Sequence, residues 1–146
     1  MKKLWIIPVV LLTLLVASGP LRSTTPKLDV PPQTLYNEAN ELYFHNELPR
    51  DGRVVMVEGD IPTRTSKSEE VVAITYITQN RPRTYKTIIS TKYNLALPVE
   101  ELSVLHEACH IELYEEDTPN YDGQHGPEFQ NCMLRLAKMG AFEHVW

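Results

Sequence analysis

The chain has 146 residues, enough for one domain with its own hydrophobic core, and an apolar fraction of 42% argues against global disorder. Its formal net charge is −5, from 14 Lys and Arg against 19 Asp and Glu. A chain with that balance lacks the clustered positive charge that displaces counterions, so nucleic acid is not expected as a partner.

Residues 1–19 read as a signal peptide or membrane anchor. Met1-Lys2-Lys3 is a short positive start. Leu4 to Val16 is apolar apart from Pro8 and Thr13, and the small residues Ala17, Ser18 and Gly19 follow. The run is slightly short for the roughly 20 residues that cross a bilayer, so cleavage near Ser18 competes with tethering through residues 4–19. The protein is expected to be exported: periplasmic, extracellular or membrane-tethered. Without this segment the net charge is about −7, because only Lys2 and Lys3 are lost. Residues 20–33 read as a Pro-rich linker with Pro20, Pro26, Pro31 and Pro32, and the folded domain is expected over residues 34–146.

Thr34 to Asn46 reads as a helix capped by Thr34, with Leu35, Ala39, Leu42 and Tyr43 on one stripe. Pro49 and Gly52 stop it. Arg53 to Glu58 is strand-like, with Val54, Val55, Met56 and Val57 in a row. Gly59 to Glu70 is a polar loop containing Pro62. Val71 to Thr78 is a second strand, Asn80-Arg81-Pro82-Arg83 a turn, and Tyr85 to Thr91 a third strand. Short connections favour antiparallel neighbours, at least for the last two strands, and a three-stranded antiparallel sheet is expected.

From Pro98 the apolar period becomes helical. Pro98 suits the first turn, and Glu100 and Glu101 suit its positive end. Val99, Leu102, His106, Cys109, His110 and Leu113 then recur at helical spacing as far as about Tyr114. Glu115 to Gln124, with Pro119, Asn120 and Gly123, is a loop. Pro127 opens a last helix whose stripe is Phe129, Cys132, Met133, Leu136 and Met139, with Gly140 at its end. Helix, three strands and two helices make the class α+β. The chain has two cysteines, Cys109 and Cys132, and no C-x-x-C pair for a zinc ribbon. Both lie on apolar stripes, where buried free thiols are expected; a Cys109–Cys132 disulfide is the alternative in an oxidising compartment.

The chemistry concentrates at His106-Glu107-Ala108-Cys109-His110. Histidines four apart lie one turn above each other on a helix, so both can meet one ion about 2.0–2.1 Å away. Glu107 lies about 100° round from His106. It flanks the ion without binding it and can hold a water at an open metal position. Zinc lowers the pKa of such a water to about 7, so Glu107 can act as general base at neutral pH and pass the proton to a leaving amine.

A catalytic zinc takes three protein ligands and keeps one position open. The third ligand has two candidates. His125 stands just before Gly126-Pro127, where a long loop returns towards the metal helix. Glu128 is the rival, a carboxylate from a downstream helix. The extended pattern H-E-x-x-H-x-x-G-x-x-H is absent, because Leu113 and Glu116 occupy its Gly and third His.

Other polar residues have plainer readings. His45 and His144 are surface or satisfied histidines, and Cys109 is core rather than ligand. Glu112, Glu115, Glu116 and Asp117 form a solvated acidic face or orient a ligand imidazole. Tyr121 is a candidate oxyanion donor. Residues Gly59 to Thr65 are a loop or line a substrate groove. An edge strand among residues 71–91 offers an extended peptide a pairing partner.

The two motifs in order, His106-Glu107-Ala108-Cys109-His110 and His125-Gly126-Pro127-Glu128-Phe129, resemble the SprT-like (Spartan-type) zinc metallopeptidases. Tyr43-Phe44, Leu48-Pro49 and Ile88-Ile89-Ser90 extend the resemblance over about residues 34–140. It implies a zincin-like fold and one zinc per chain held by His106, His110 and His125. It also implies Glu107 as the catalytic residue and protein or peptide as substrate. Family members that act on DNA-bound proteins look intracellular and often append DNA-binding elements. The acidic charge and the export segment run against that role, so only the peptidase core is carried over. Two other functions compete: a non-catalytic zinc-stabilised binding module, and a DNA-associated protease.

Overall fold

Proline stands within the first two positions of each of the three described helices. In the computed structural model, which describes residues 30–50, 52–61, 71–93 and 96–143, α1 spans Pro32–Tyr43, α2 Leu97–Glu115 and α3 Pro127–Lys138. All three have Pro in the first two positions and no side-chain cap. A helix start wastes its first N–H groups, and the fixed φ of proline suits the first turn. The expected Thr34 cap is therefore corrected: Pro31 takes that place, and Pro32 and Gln33 belong to α1 rather than to the linker. Residues 1–19, expected as an export segment, residues 20–29 of the expected linker, Pro62 to Thr65 and His144 lie outside the described residues.

The buried face of α1 is Leu35, Tyr36, Ala39 and Asn40. Leu42, expected on the stripe, is 63% exposed. Asn40 takes a core position because its amide is satisfied. Its Nδ2 donates to the Leu48 carbonyl, and its Oδ1 accepts from the Leu48 N–H, both at 3.1 Å. Tyr36 Oη donates to the Pro49 carbonyl at 2.9 Å. These bonds hold the turn after α1 against the helix, with His45 and Asn46 in left-handed conformation. Buried polar groups persist only where such partners exist.

The strands are β1 (Val54–Gly59), β2 (Ala73–Ile77) and β3 (Tyr85–Ser90), in spatial order β1-β3-β2. β2 and β3 are antiparallel, with Thr75 opposite Thr87. β1 runs parallel to β3, with Val54 opposite Tyr85. The sheet is therefore mixed, which corrects the expected antiparallel sheet. The short turn between β2 and β3 enforces a hairpin. The connection from Asp60 to Val72 is long enough to carry β2 to the far side of β3.

One hydrophobic core joins all the elements. α2 runs through its middle and touches α1, α3, β2 and β3. It is accordingly buried on most of its circumference rather than on one stripe, and its buried set includes Glu107, Ala108, Cys109, His110 and Ile111. Cys109 of α2 and Cys132 of α3 form a disulfide with a Cα–Cα distance of 5.9 Å. This corrects the expectation of free thiols: the two apolar stripes face each other, so the sulfurs meet. A cross-link closing a loop of this size stabilises by about 3 kcal/mol in the chain-entropy account. α3 ends as expected. Gly140 adopts a positive φ, and Gly140 N–H and Ala141 N–H bond the carbonyls of Ala137 and Leu136 at 3.1 and 3.0 Å.

The acidic run at the C-terminal end of α2 is neither bare solvated surface nor a support for the histidines. Glu115 accepts from Arg53 Nη2 at 2.8 Å and from Tyr85 Oη at 2.7 Å. Glu112 accepts from Arg135 Nη2 at 2.6 Å, and Asp117 from Arg83 Nη2 at 2.7 Å. Burial alone raises the Glu115 pKa, but the bonds from Tyr85 and Arg53 and the nearby Arg83 outweigh it and hold the carboxyl below its usual range. Carboxylates at a helix C-terminus oppose the helix dipole. Here Arg53 and Arg83, just ahead of β1 and β3, and Arg135 of α3 supply the missing positive charge.

Candidate metal centre

His106 and His110 sit one turn apart on α2, and His125 lies two residues before α3. The loop between the helices turns back through left-handed Asp117, Asn120 and Gly123. Gln130 Nε2 then fixes the His125 carbonyl at 3.0 Å. Three imidazoles converge as a result. His106 Nε2 lies 3.2 Å from His110 Nε2 and 3.0 Å from His125 Nε2. Among the described residues, these three form the group able to hold a metal ion. Glu128, the rival third ligand, is exposed and lies outside that group.

The donor set fits zinc. Nitrogens about 2.0–2.1 Å from one tetrahedral ion lie about 3.3 Å apart, close to the separations found here. Hydrogen bonding accounts for them less well. Burial, and then the neighbouring histidines, lower His106 to about 3 and His110 to about 2. His125 is also lowered by burial. At neutral pH each ring is neutral and carries one N–H. A proton on His106 Nε2 can serve one neighbour and leaves another nitrogen lone pair facing it. A shared cation satisfies all three.

Two side chains hold the rings in place. Phe129 packs against every imidazole, with centroids 4.6, 4.5 and 4.7 Å from His106, His110 and His125. Tyr121 Oη contacts His110 Nδ1, and its ring stacks on His110 while standing edge-on to Tyr114. Burial, with Tyr114 and Glu107 nearby, keeps the phenol protonated well above its ordinary range. With Nε2 turned to the metal position, Nδ1 carries the proton and donates to Tyr121. Tyr121, a candidate oxyanion donor by sequence, is thus engaged by His110. Tyr121→Phe is expected to weaken zinc binding about 10- to 100-fold, read by titration against a competing chelator, with the fold unchanged by circular dichroism.

Glu107 is 1% exposed. Its Oε2 accepts from Thr75 Oγ1, which lies 2.8 Å from Thr87 Oγ1. Its Oε1 is buried without a hydrogen-bond partner. Burial pushes the carboxyl up to about 7, against the pull of the Thr75 hydrogen bond. An unsatisfied buried oxygen is costly unless something meets it, and a water held beside a metal would do so. Sequence reasoning did not find Thr75 or Thr87. Threonines are ordinary in strands, and only the register of β2 on β3 brings them under α2. Two surface clefts, of about 200 and 550 Å³ along α1, contain none of these residues.

No family model, curated protein or solved structure matches the chain.

Proposed function

We propose that this chain is a zinc-dependent hydrolase, a metallopeptidase with the zincin-like core of the SprT-like family, acting on protein or peptide outside the cytoplasm. The observation that carries the reading is the convergence of three imidazole nitrogens on the same helix turn as a buried carboxylate with one oxygen unengaged. His106, His110 and His125 would hold one zinc per chain. Zinc, when bound, polarises a carbonyl and makes a water acidic enough to lose its proton near neutral pH. Glu107 takes that proton and delivers it to the leaving amine. Tyr121 and Phe129 keep the ligand rings oriented.

Substrate would pair with β2. That strand has β3 on one side, and its Thr75 bonds Glu107. An extended peptide added to its outer edge would run beside the base. On β1, by contrast, the Met56 N–H is already taken by Gln33 Oε1 at 2.9 Å. Export rests on residues 1–19 and is supported by the Cys109–Cys132 disulfide, a bond that persists in oxidising compartments. Among the described residues, no helix is long and apolar enough to cross a membrane; the tether considered is residues 4–19.

The test is direct. Zinc-loaded protein is incubated with a denatured-protein digest library, and the products are read by mass spectrometry. New termini that vanish with chelator are the expected result. One bound zinc per chain with no cleavage would leave a zinc-stabilised binding module and overturn the hydrolase reading.

A further inference from the structure

The two oxygens of Glu107 are not equivalent. Oε2 is bonded to Thr75, while Oε1 has no partner. Thr75 and Thr87 are both fully buried, directly opposite each other across β2 and β3. The geometry points to Thr75, backed by Thr87, as a positioning residue that anchors Oε2 and reserves Oε1 for proton transfer. This inference rests on the reading of Glu107 as the general base.

Proton counting fixes the direction of the chain. In its ionised form, the one that can act as a base, Glu107 has no proton to give, so Thr75 Oγ1 donates to Oε2. Its single proton is then used. In the 2.8 Å contact between the threonines, Thr87 must therefore be the donor. Both hydroxyl protons point towards Glu107, and Oε2 is held as an acceptor. The lone pair left for a water's proton is on Oε1. Hydrolysis consumes one water. One of its protons passes to Oε1 and on to the leaving nitrogen as the C–N bond breaks. Its oxygen and other proton become part of the new carboxyl group. A fixed carboxylate reaches this geometry without first reorienting, which is the advantage of a preorganised base.

Glu107 lies in the interior of α2, and without Thr75 only its own χ angles would aim it. Thr75→Val keeps the shape and removes the hydroxyl, whereas Thr75→Ser keeps the hydroxyl. Thr75→Val is expected to lower kcat about 100-fold, with KM within about threefold and zinc content unchanged. Thr75→Ser should stay within about fivefold of the parent. Thr87→Val, one hydroxyl further back, should lower kcat about tenfold, and it serves where Thr75→Val does not fold. A thermal double-mutant cycle gives a reading independent of activity. Thr75→Val should lower the Tm of the zinc-loaded protein by about 5 °C with Glu107 present and by less than half that in a Glu107→Ala background.

Equal losses in both backgrounds, wild-type kcat in Thr75→Val, or a Thr75→Ser variant as slow as Thr75→Val would overturn the inference. If the parent protein cleaves nothing, the hydrolase reading fails. The cycle alone then decides: coupling keeps Thr75 as the anchor of Glu107, and additivity removes it.

Discussion

Glu107→Gln is expected to lower kcat at least about 1,000-fold while leaving one zinc per chain in place. The substitution keeps the size of the side chain. The amide oxygen can still accept from Thr75, so the contact between α2 and β2 survives. What disappears is the ability to take a proton. Stability should not fall. Glu107 is almost fully buried, and burial already raises its pKa to about 7, which means the ionised form is disfavoured where it sits. A neutral amide removes that penalty, so the Tm of the variant should equal or exceed that of the parent. Steady-state kinetics, metal analysis and a thermal melt together make the check. Unchanged turnover would remove Glu107 from the mechanism, and loss of zinc along with activity would make it a ligand instead.

Chelation is expected to end activity and leave the chain folded. In small zinc modules the ion supplies the folding energy, of order 10 kcal/mol, and its removal unfolds them. Here α2 and α3 are already joined by the Cys109–Cys132 bond and by the packing of Leu136 and Phe129 in the common core. The metal-free protein should therefore still melt cooperatively, at a lower Tm than the zinc form by the amount that binding contributes.

Affinity for zinc should also resist mild acid. Three imidazoles with ordinary pKa values lose about a thousandfold in apparent affinity between pH 7.5 and 5.5 through proton competition. The folded protein holds His106 near 3 and His110 near 2, and lowers His125 as well. A loss of less than about tenfold is expected over that interval, measured by competition with a chelator of known pH dependence.

The same shifts act on the metal-free fold with a definite sign. Histidines whose pKa is depressed by folding bind fewer protons folded than unfolded, so their contribution to stability is lost as pH falls below 6.5. Glu107 is raised from 4.5 to about 7 and works in the opposite direction over that range. Three imidazoles against one carboxyl give a net loss of stability towards pH 5.

Much of the candidate site was legible in the sequence because it is local. The i, i+4 spacing of His106 and His110, with Glu107 between them, requires only that the segment be helical, and α2 is. The positions of all six elements were readable too, since periodicity and the Pro and Gly stops are properties of short windows. Errors arose where a residue's environment depends on distant chain. The buried face of α1 takes Asn40 and leaves Leu42 exposed, because Asn40 is a tolerable core residue only with Leu48 folded back upon it. β1 runs parallel to β3 against the antiparallel expectation, because strand direction depends on where the Asp60–Val72 connection leads and a pattern of apolar residues carries no direction.

The helix that carries His106, Glu107 and His110 follows from local sequence, because 3.6 residues per turn places them without outside help. The sequence also supplied both third-ligand candidates, His125 and Glu128, a few residues apart. Only the tertiary structure decided which of them joins the cluster. The loop from Glu116 to Gly126 folds back so that the His125 imidazole meets the other two, while Glu128, one residue into α3, is turned to solvent. Tertiary structure likewise decided the surroundings of the site: the disulfide between facing helices, Tyr121 on His110, and the threonine pair under Glu107. Each is a contact between residues 11 to 32 positions apart, and side chains at such separations meet only when the core packs.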